Sequence, residues 1–165
     1  MDDAEHTKIM PAHTYANVLA SNKRAFYDYE ILETLEAGIE LLGHEVKSAK
    51  LGHCHLKGSF VHVQGGEAWL TNAFIAPYAK ASQLGTYDPT HARRLLLGRR
   101  DLNRLMGKQQ QERLTIVPTK LVVRRGLVKV EIALARGKKQ FEKRAAIKDR
   151  EDNRRMRSAR MTRGT

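Results

Sequence analysis

Phe60–Asn72, FVHVQGGEAWLTN, is the stretch whose reading decides the fold class. Two alternating runs, FVHVQ and EAWLT, flank Gly65-Gly66, a dipeptide that accepts the positive φ of a two-residue turn, so a β-hairpin is predicted. Such a turn sets the register: Val61 faces Leu70, Val63 faces Ala68, and His62 faces Trp69. Val61, Val63 and Leu70 then point to a core, and His62 and Trp69 to the opposite surface. The same pattern returns at Thr115–Val123 and Leu127–Ala135 about Arg125-Gly126, where Lys120 would pair with Glu131. Two hairpins with Val, Ile and Leu on one side make the chain mainly β.

Between the hairpins, Asp88-Pro89 predicts an N-cap and a first-turn proline. The helix they open would run through Leu95–Leu97 to Leu102, Leu105 and Met106, hinged near Gly98 and closed by Gly107 and KQQQER. Before the first hairpin, period-two alternation from Arg24, with Tyr27, Tyr29, Ile31 and Glu33 on one side, predicts a strand. Leu35–Val46 fits a short helical element or a bent strand, because Gly38 and Gly43 interrupt the helical spacing of Ala37, Leu41 and Leu42. Residues 1–20 are polar and aperiodic and are expected to form a flexible N-terminal arm. The expected architecture is a small antiparallel OB-like β-barrel over residues 21–137 with flanking short helices, since closure removes exposed sheet edges.

The composition breaks at Gly137. Residues 138–165 carry eleven Lys/Arg against the four acids Glu142, Asp149, Glu151 and Asp152, and so hold seven of the net +12 charges of the 165-residue chain. Phe141, Ile147, Met156 and Met161 are too scattered to bury a face, so the basic C-terminal tail should be disordered in isolation. Yet Gln140–Met161 holds no Pro or Gly and is rich in helix formers, which predicts a helix that forms against a dense negative partner. A pI near 10.1 points to nucleic acid or an anionic surface. A membrane is the weaker partner. The longest uncharged run, Ile9–Asn22, is 14 residues and is broken by Pro11, too short to span a bilayer. MDDAEHTK is acidic where a signal peptide is basic. A single Cys fits a reducing cytoplasm.

No reaction centre emerges from the residues. His53-Cys54-His55 resembles a metal cluster, but adjacent residues fan out on a helix and alternate on a strand, and no second Cys completes a site. Neither G-x-S-x-G nor G-x-G-x-x-G is present, so no metal, cofactor or catalytic group is expected. Binding residues are easier to nominate. Asn22, Lys23 and Arg24, and the pairs Arg93-Arg94 and Arg99-Arg100, can meet phosphate. Tyr27, Tyr29, Phe60 and Trp69 can stack on unpaired bases. Among Glu30, Glu33, Glu36 and Glu40, Glu36 stands out because Gly38 beside it lets a ligand approach closely, and a carboxylate can accept from a guanine edge or a 2′-OH.

Four stretches share the order and spacing of a known family: NKRAFYDYEILETLEAGIELLGHEVKSAKLG (Asn22–Gly52), GEAWLTNAFIAPY (Gly66–Tyr78), DPTHARRLLL (Asp88–Leu97) and KVEIALARGKKQFEKRAAIKDR (Lys129–Arg150). Together they resemble SmpB, the SsrA-binding proteins. The resemblance implies a barrel that binds the tRNA-like domain of tmRNA as a monomer and brings it to stalled ribosomes for trans-translation. On it, positions matching Asn22, Lys23, Glu36 and Leu96 belong to the tmRNA surface, and Lys129 aligns with a further basic contact. Arg24 and Tyr29 join that surface from the residue reading. The family's tail lies as a helix along the empty mRNA channel near the decoding centre, against small-subunit rRNA. Here that places Gly137, Lys138, Lys139, Glu142, Lys143, Arg144, Lys148, Arg150, Arg154 and Arg155 against the ribosome. Elongation factor Tu and alanyl-tRNA synthetase are implied as indirect partners through alanyl-tmRNA. Phe26-Tyr27, His44, Ala49, His91 and Glu142 depart from the commonest family residues. A general RNA chaperone or a ribosome-associated basic RNA-binding protein is the alternative that charge alone would allow.

Overall fold

In the computed structural model, residues 17–81 and 85–162 are described. The order is β1 (Asn17–Ser21), α1 (Lys23–Asp28), β2 (Tyr29–Ile39), α2 (Gly43–Lys50), β3 (Cys54–His55), β4 (Phe60–Gln64), β5 (Glu67–Thr71), β6 (Phe74–Ile75), β7 (Arg93–Leu96), α3 (Arg99–Glu112), β8 (Thr115–Arg124), β9 (Leu127–Gly137) and α4 (Gln140–Thr162). The main sheet runs β1-β8-β4-β5-β7-β2-β9, and β8 also pairs with β9. From β4 through β5, β7, β2, β9 and β8 back to β4 the pairings therefore close on themselves, with β1 as an added strand on β8. All of them are antiparallel.

Both hairpins fold in the predicted register. Val61 faces Leu70, Val63 faces Ala68 and His62 faces Trp69, while Lys120 faces Glu131. Gly65 and Gly66 take φ of 62° and 73°, and Arg125 and Gly126 take 51° and 77°. Both turns thus have two positive-φ residues, whose twist matches that of the strands. Inside the ring, Val61, Leu70, Leu95, Ile116, Ile132 and Leu134 form the core. Leu102 and Leu105 of α3 are also buried in it, and Arg104 and Lys108 hold that helix to Glu33 of β2 at 2.6 and 2.7 Å. A smaller cluster lies outside the ring, where Ala25 of α1 covers Val117, Ala133 and Ala135.

The predicted helix through Leu95–Leu97 is a strand as far as Leu96. Arg93 and Leu95 point inward while Arg94 and Leu96 are more exposed, and β7 pairs with β5 and β2. A short apolar run cannot be assigned by periodicity alone; here closing the ring requires a strand. Asp88 does not start a helix. Its carboxylate instead accepts from the Thr90 N–H and hydroxyl, both at 2.9 Å, which makes a local turn. The helix that does form starts at Arg99 and continues through Gly107 to Glu112. The strand expected from Arg24 begins only at Tyr29, because Asn22 caps α1. Leu35–Val46 resolves into the end of β2 and the start of α2. Of the expected arm, residues 1–16 lie outside the described residues, and 17–20 belong to β1, paired with Lys120–Val123 of β8.

The predicted tail helix is α4. Its first turn is anchored: the Lys138 N–H donates to the Asp28 carbonyl at 2.9 Å, and Lys143 Nζ lies 3.5 Å from Asp28 Oδ1. The Glu142 carboxylate accepts from the Lys139 N–H at 2.9 Å. These contacts supply the costly nucleus, after which helix formers propagate it. From Arg144 to Ala159, every residue whose burial is described is exposed.

Candidate nucleic-acid interface

On β9 the core residues Val128, Val130, Ile132 and Leu134 alternate with Lys129, Glu131, Ala133 and Ala135, which therefore face outward. Helix α1 covers the two alanines, leaving the half of this outer face that carries Lys129 and Glu131. Glu36 of β2 lies opposite Glu131, and Gly38 opposite both Lys129 and Leu96. The fold thus brings Glu36, Leu96 and Lys129, which lie far apart in sequence, onto one patch.

Close approach explains Gly38. A Cβ there would sit 3.0 Å from the Leu96 Cβ, so a side chain would displace Leu96. That leucine is 49% exposed, an apolar surface within a charged patch.

Two residues not nominated from sequence complete the patch. Arg124 Nη1 lies 3.4 Å from Glu36 Oε2, and Lys120 Nζ lies 3.9 Å from Glu131 Oε1. Thr119 donates to Glu131 Oε1 at 2.6 Å, fixing that carboxylate. Glu36 Oε2 is shielded from solvent yet has no hydrogen bond of good geometry. A donor presented by a ligand would satisfy it. The period-two alternation of β8 and β9 could have revealed Lys120 and Arg124. Each reads alone as a solvated strand residue; only the register across three strands joins them to Glu36.

Asn22 sits beside this patch but is turned inward. It is 9% exposed; its amide oxygen accepts from the Ala25 N–H at 3.2 Å and its Nδ2 donates to the Pro118 carbonyl at 2.9 Å. Its structural work is to position α1, which presents Lys23 and Arg24 to solvent. Arg24 pairs with Asp28 at 3.1 Å. Tyr29 packs against the cluster beneath α1, at the opposite end of β2 from Glu36. Of the other stacking candidates, Phe60 is 45% exposed and Trp69 is half-buried on the outer face of β5.

The Arg93-Arg94 pair is split by the strand. Arg93 is not a phosphate ligand, because its side chain is fully buried. Its Nε and Nη2 donate to Glu45 Oε1 at 3.0 and 2.7 Å, and Nη1 donates to the Ala73 carbonyl at 2.7 Å. The Tyr87 hydroxyl donates to the same carboxylate at 2.8 Å, and His91 Nε2 lies 2.7 Å from it. Burial alone would raise the Glu45 pKa, but hydrogen bonds from Arg93 and from the Leu42 N–H outweigh it and bring the value down to about 2. Burial and the neighbouring carboxylate push Tyr87 up to about 12. The network ties α2 to β7, and so helps position the strand carrying Leu96.

His53-Cys54-His55 forms no cluster. Cys54 lies in β3 opposite Ile75, with burial raising its thiol pKa, and His55 stacks on Phe74 with ring centres 4.8 Å apart. No described helix is long and apolar enough to cross a membrane.

The SmpB protein family model matches residues 19–162. The SsrA-binding protein of Sulfurihydrogenibium sp. (strain YO3AOP1) is 53% identical over 134 residues, covering 81% of this chain and 88% of its own length. That of Thermosipho melanesiensis is 52% identical over 141 residues, covering 85% and 95%. A solved chain described by the words "tmRNA-SmpB: a journey to the center of the bacterial ribosome" shares 50% identity and superposes with a TM-score of 0.60, covering 73% of this chain and 84% of that one. This chain belongs to the SmpB family.

Proposed function

We propose that the chain binds the tRNA-like domain of tmRNA (SsrA) and delivers it to stalled ribosomes for trans-translation. The patch at Glu36, Leu96, Lys129, Lys120 and Arg124 receives the RNA, with Lys23 and Arg24 meeting phosphate at its edge. Helix α4 enters the vacant mRNA channel near the decoding centre. Elongation factor Tu and alanyl-tRNA synthetase then act on the same complex through the alanylated RNA, in the cytoplasm. The observation that carries this reading is the convergence of Glu36, Leu96 and Lys129 on one face of a chain 50% identical to a solved tmRNA-SmpB chain.

The chemistry divides into positioning and recognition. Cations hold phosphate without reading sequence, while the Glu36 carboxylate accepts from a 2′-OH or guanine edge and Leu96 packs against a base or sugar face. The protein performs no bond-making step in this scheme; it brings the RNA to the ribosome.

Glu36→Ala is expected to weaken binding of the tRNA-like domain about tenfold, the scale of one lost charge-assisted hydrogen bond, with the thermal midpoint unchanged. A filter-binding titration giving wild-type affinity would remove Glu36 from the interface. Neutralising about six phosphates should lower affinity roughly 10³-fold between 50 and 200 mM salt; a flat salt profile would refute a phosphate-held complex. Competition separates the alternative. A general RNA chaperone binds tRNA, tmRNA and arbitrary hairpins equally, whereas this reading requires the tmRNA domain to win.

A further inference from the structure

Next to Leu96 the surface opens into a cavity of about 330 Å³, lined by Glu67 and Arg94 and walled by apolar residues including Leu96, Leu97 and Leu102. Its volume falls at the lower end of ligand pockets, about 300–1,000 Å³. Arg94 Nη2 and Glu67 Oε1 are 2.8 Å apart, and the two side chains are 42% and 40% exposed. This pair is not needed to satisfy a buried charge, unlike Arg93, one strand position away, with Glu45 of α2. It offers a donor beside an acceptor above a leucine-lined slot.

We propose that this cavity is a pocket for one unpaired nucleobase, with guanine the preferred occupant. The inference rests on the RNA-binding reading and deepens it, because Leu96 is shared by the outer patch and the cavity. The leucines pack on the faces of the ring, and the rim pair reads its Watson–Crick edge. Guanine presents an acceptor at O6 beside donors at N1 and N2, so Arg94 donates to O6 while Glu67 accepts from N1–H and N2–H. Uracil supplies the O4 acceptor and the N3 donor but no third partner. Adenine and cytosine can turn over to place an amino N–H on Glu67 and a ring nitrogen on Arg94, but each then gives the carboxylate one donor where guanine gives two. Guanine is preferred because it alone offers the Glu67 carboxylate two adjacent N–H donors beside an acceptor for Arg94.

Trp69, the chain's single tryptophan, is the register partner of Arg94 on β5 and reports on the rim. Full-length protein is titrated with GMP, UMP, AMP, CMP and, as a phosphate control, ribose 5-phosphate, following Trp69 fluorescence. Saturable quenching by GMP is expected, with AMP and CMP roughly tenfold weaker, the scale of a bidentate edge contact. Glu67→Gln and Arg94→Met, both at exposed positions, should each erase the GMP preference. Equal response to all four bases, a response to ribose 5-phosphate, no saturable response, or unchanged variants would overturn the pocket. Binding of the tRNA-like domain by the same wild-type preparation keeps the two ideas apart. Tight domain binding without nucleotide selectivity sinks the pocket alone, whereas failure to bind the domain sinks the RNA-binding reading beneath it.

Discussion

A chain ending at Gly137 should bind the tRNA-like domain nearly as well as the full protein and fail to support any tagging on stalled ribosomes. The attachments lost with α4 are a backbone hydrogen bond to Asp28, a Lys138 contact to the Phe26 carbonyl at 3.3 Å and the Lys143–Asp28 pair. Such exposed pairs contribute about 0–1 kcal/mol, and none of them touches the barrel core, so the body remains folded. Removing residues 138–165 also takes away seven of the twelve net positive charges. The remaining +5 and the Glu36–Lys129 patch are untouched, so only the long-range attraction to RNA weakens. The ribosomal step, in contrast, should lose the helix proposed to enter the mRNA channel. Gel-shift affinity and an in vitro tagging assay, run on one preparation, check both halves. Full tagging by residues 1–137 would place the channel-sensing function in the barrel.

Arg93→Ala should be the most damaging single substitution for stability. It leaves the Glu45 carboxylate buried without its guanidinium and opens a void, and breaking a buried pair in this way costs about 3–5 kcal/mol. The pH dependence identifies the cause. In the wild type the Glu45 pKa is about 2, below the ordinary value of 4.5. The pair's contribution is therefore present above pH 4.5 and lost as pH falls from there toward 2. With the arginine gone, only the Leu42 N–H and the Tyr87 hydroxyl still oppose burial and the carboxylate pKa moves upward, so the stability lost by the variant should be greater at pH 7 than at pH 3. Urea midpoints at the two pH values measure this. A deficit independent of pH would make the effect one of lost packing. Arg93→Lys should rescue little, because an ammonium cannot reproduce a guanidinium that reaches Glu45, Ala73 and Pro89 together.

The parts legible in the sequence are those where local chemistry and tertiary need agree. Gly65-Gly66 and Arg125-Gly126 dictate turns whose twist the strands require, so both hairpins and their registers follow from residue order. The composition break at Gly137 likewise marks where core-facing alternation stops and an unburied helix starts. Leu95–Leu97 was illegible for the opposite reason: the run is too short to carry a period, and the strand at Arg93–Leu96 exists because β5 and β2 need a neighbour. Asp88 carries the chemistry of a helix cap but spends it on Thr90. Asn22 reads as a phosphate ligand among basic neighbours, and in the fold its amide also bonds Ala25 and Pro118, a role its residue type alone does not reveal. Lys120 and Arg124 could not be joined to Glu36 until β8, β9 and β2 were laid side by side. The family resemblance supplied Leu96 and Lys129, and the register supplies the reason they belong together with Gly38.

The proposed role of α4 requires a helix tied to the body only near its start, with the remaining length held firmly once it lies in the ribosomal channel. Hydrogen exchange on the full chain, free and bound to stalled ribosomes with tmRNA, tests that directly. Amides of residues 144–159 should exchange quickly in the free protein while β8 and β9 stay protected, and should become protected only in the ribosomal complex. Protection of 144–159 in the free protein equal to that of β8 and β9, or no gain on the ribosome, would contradict it.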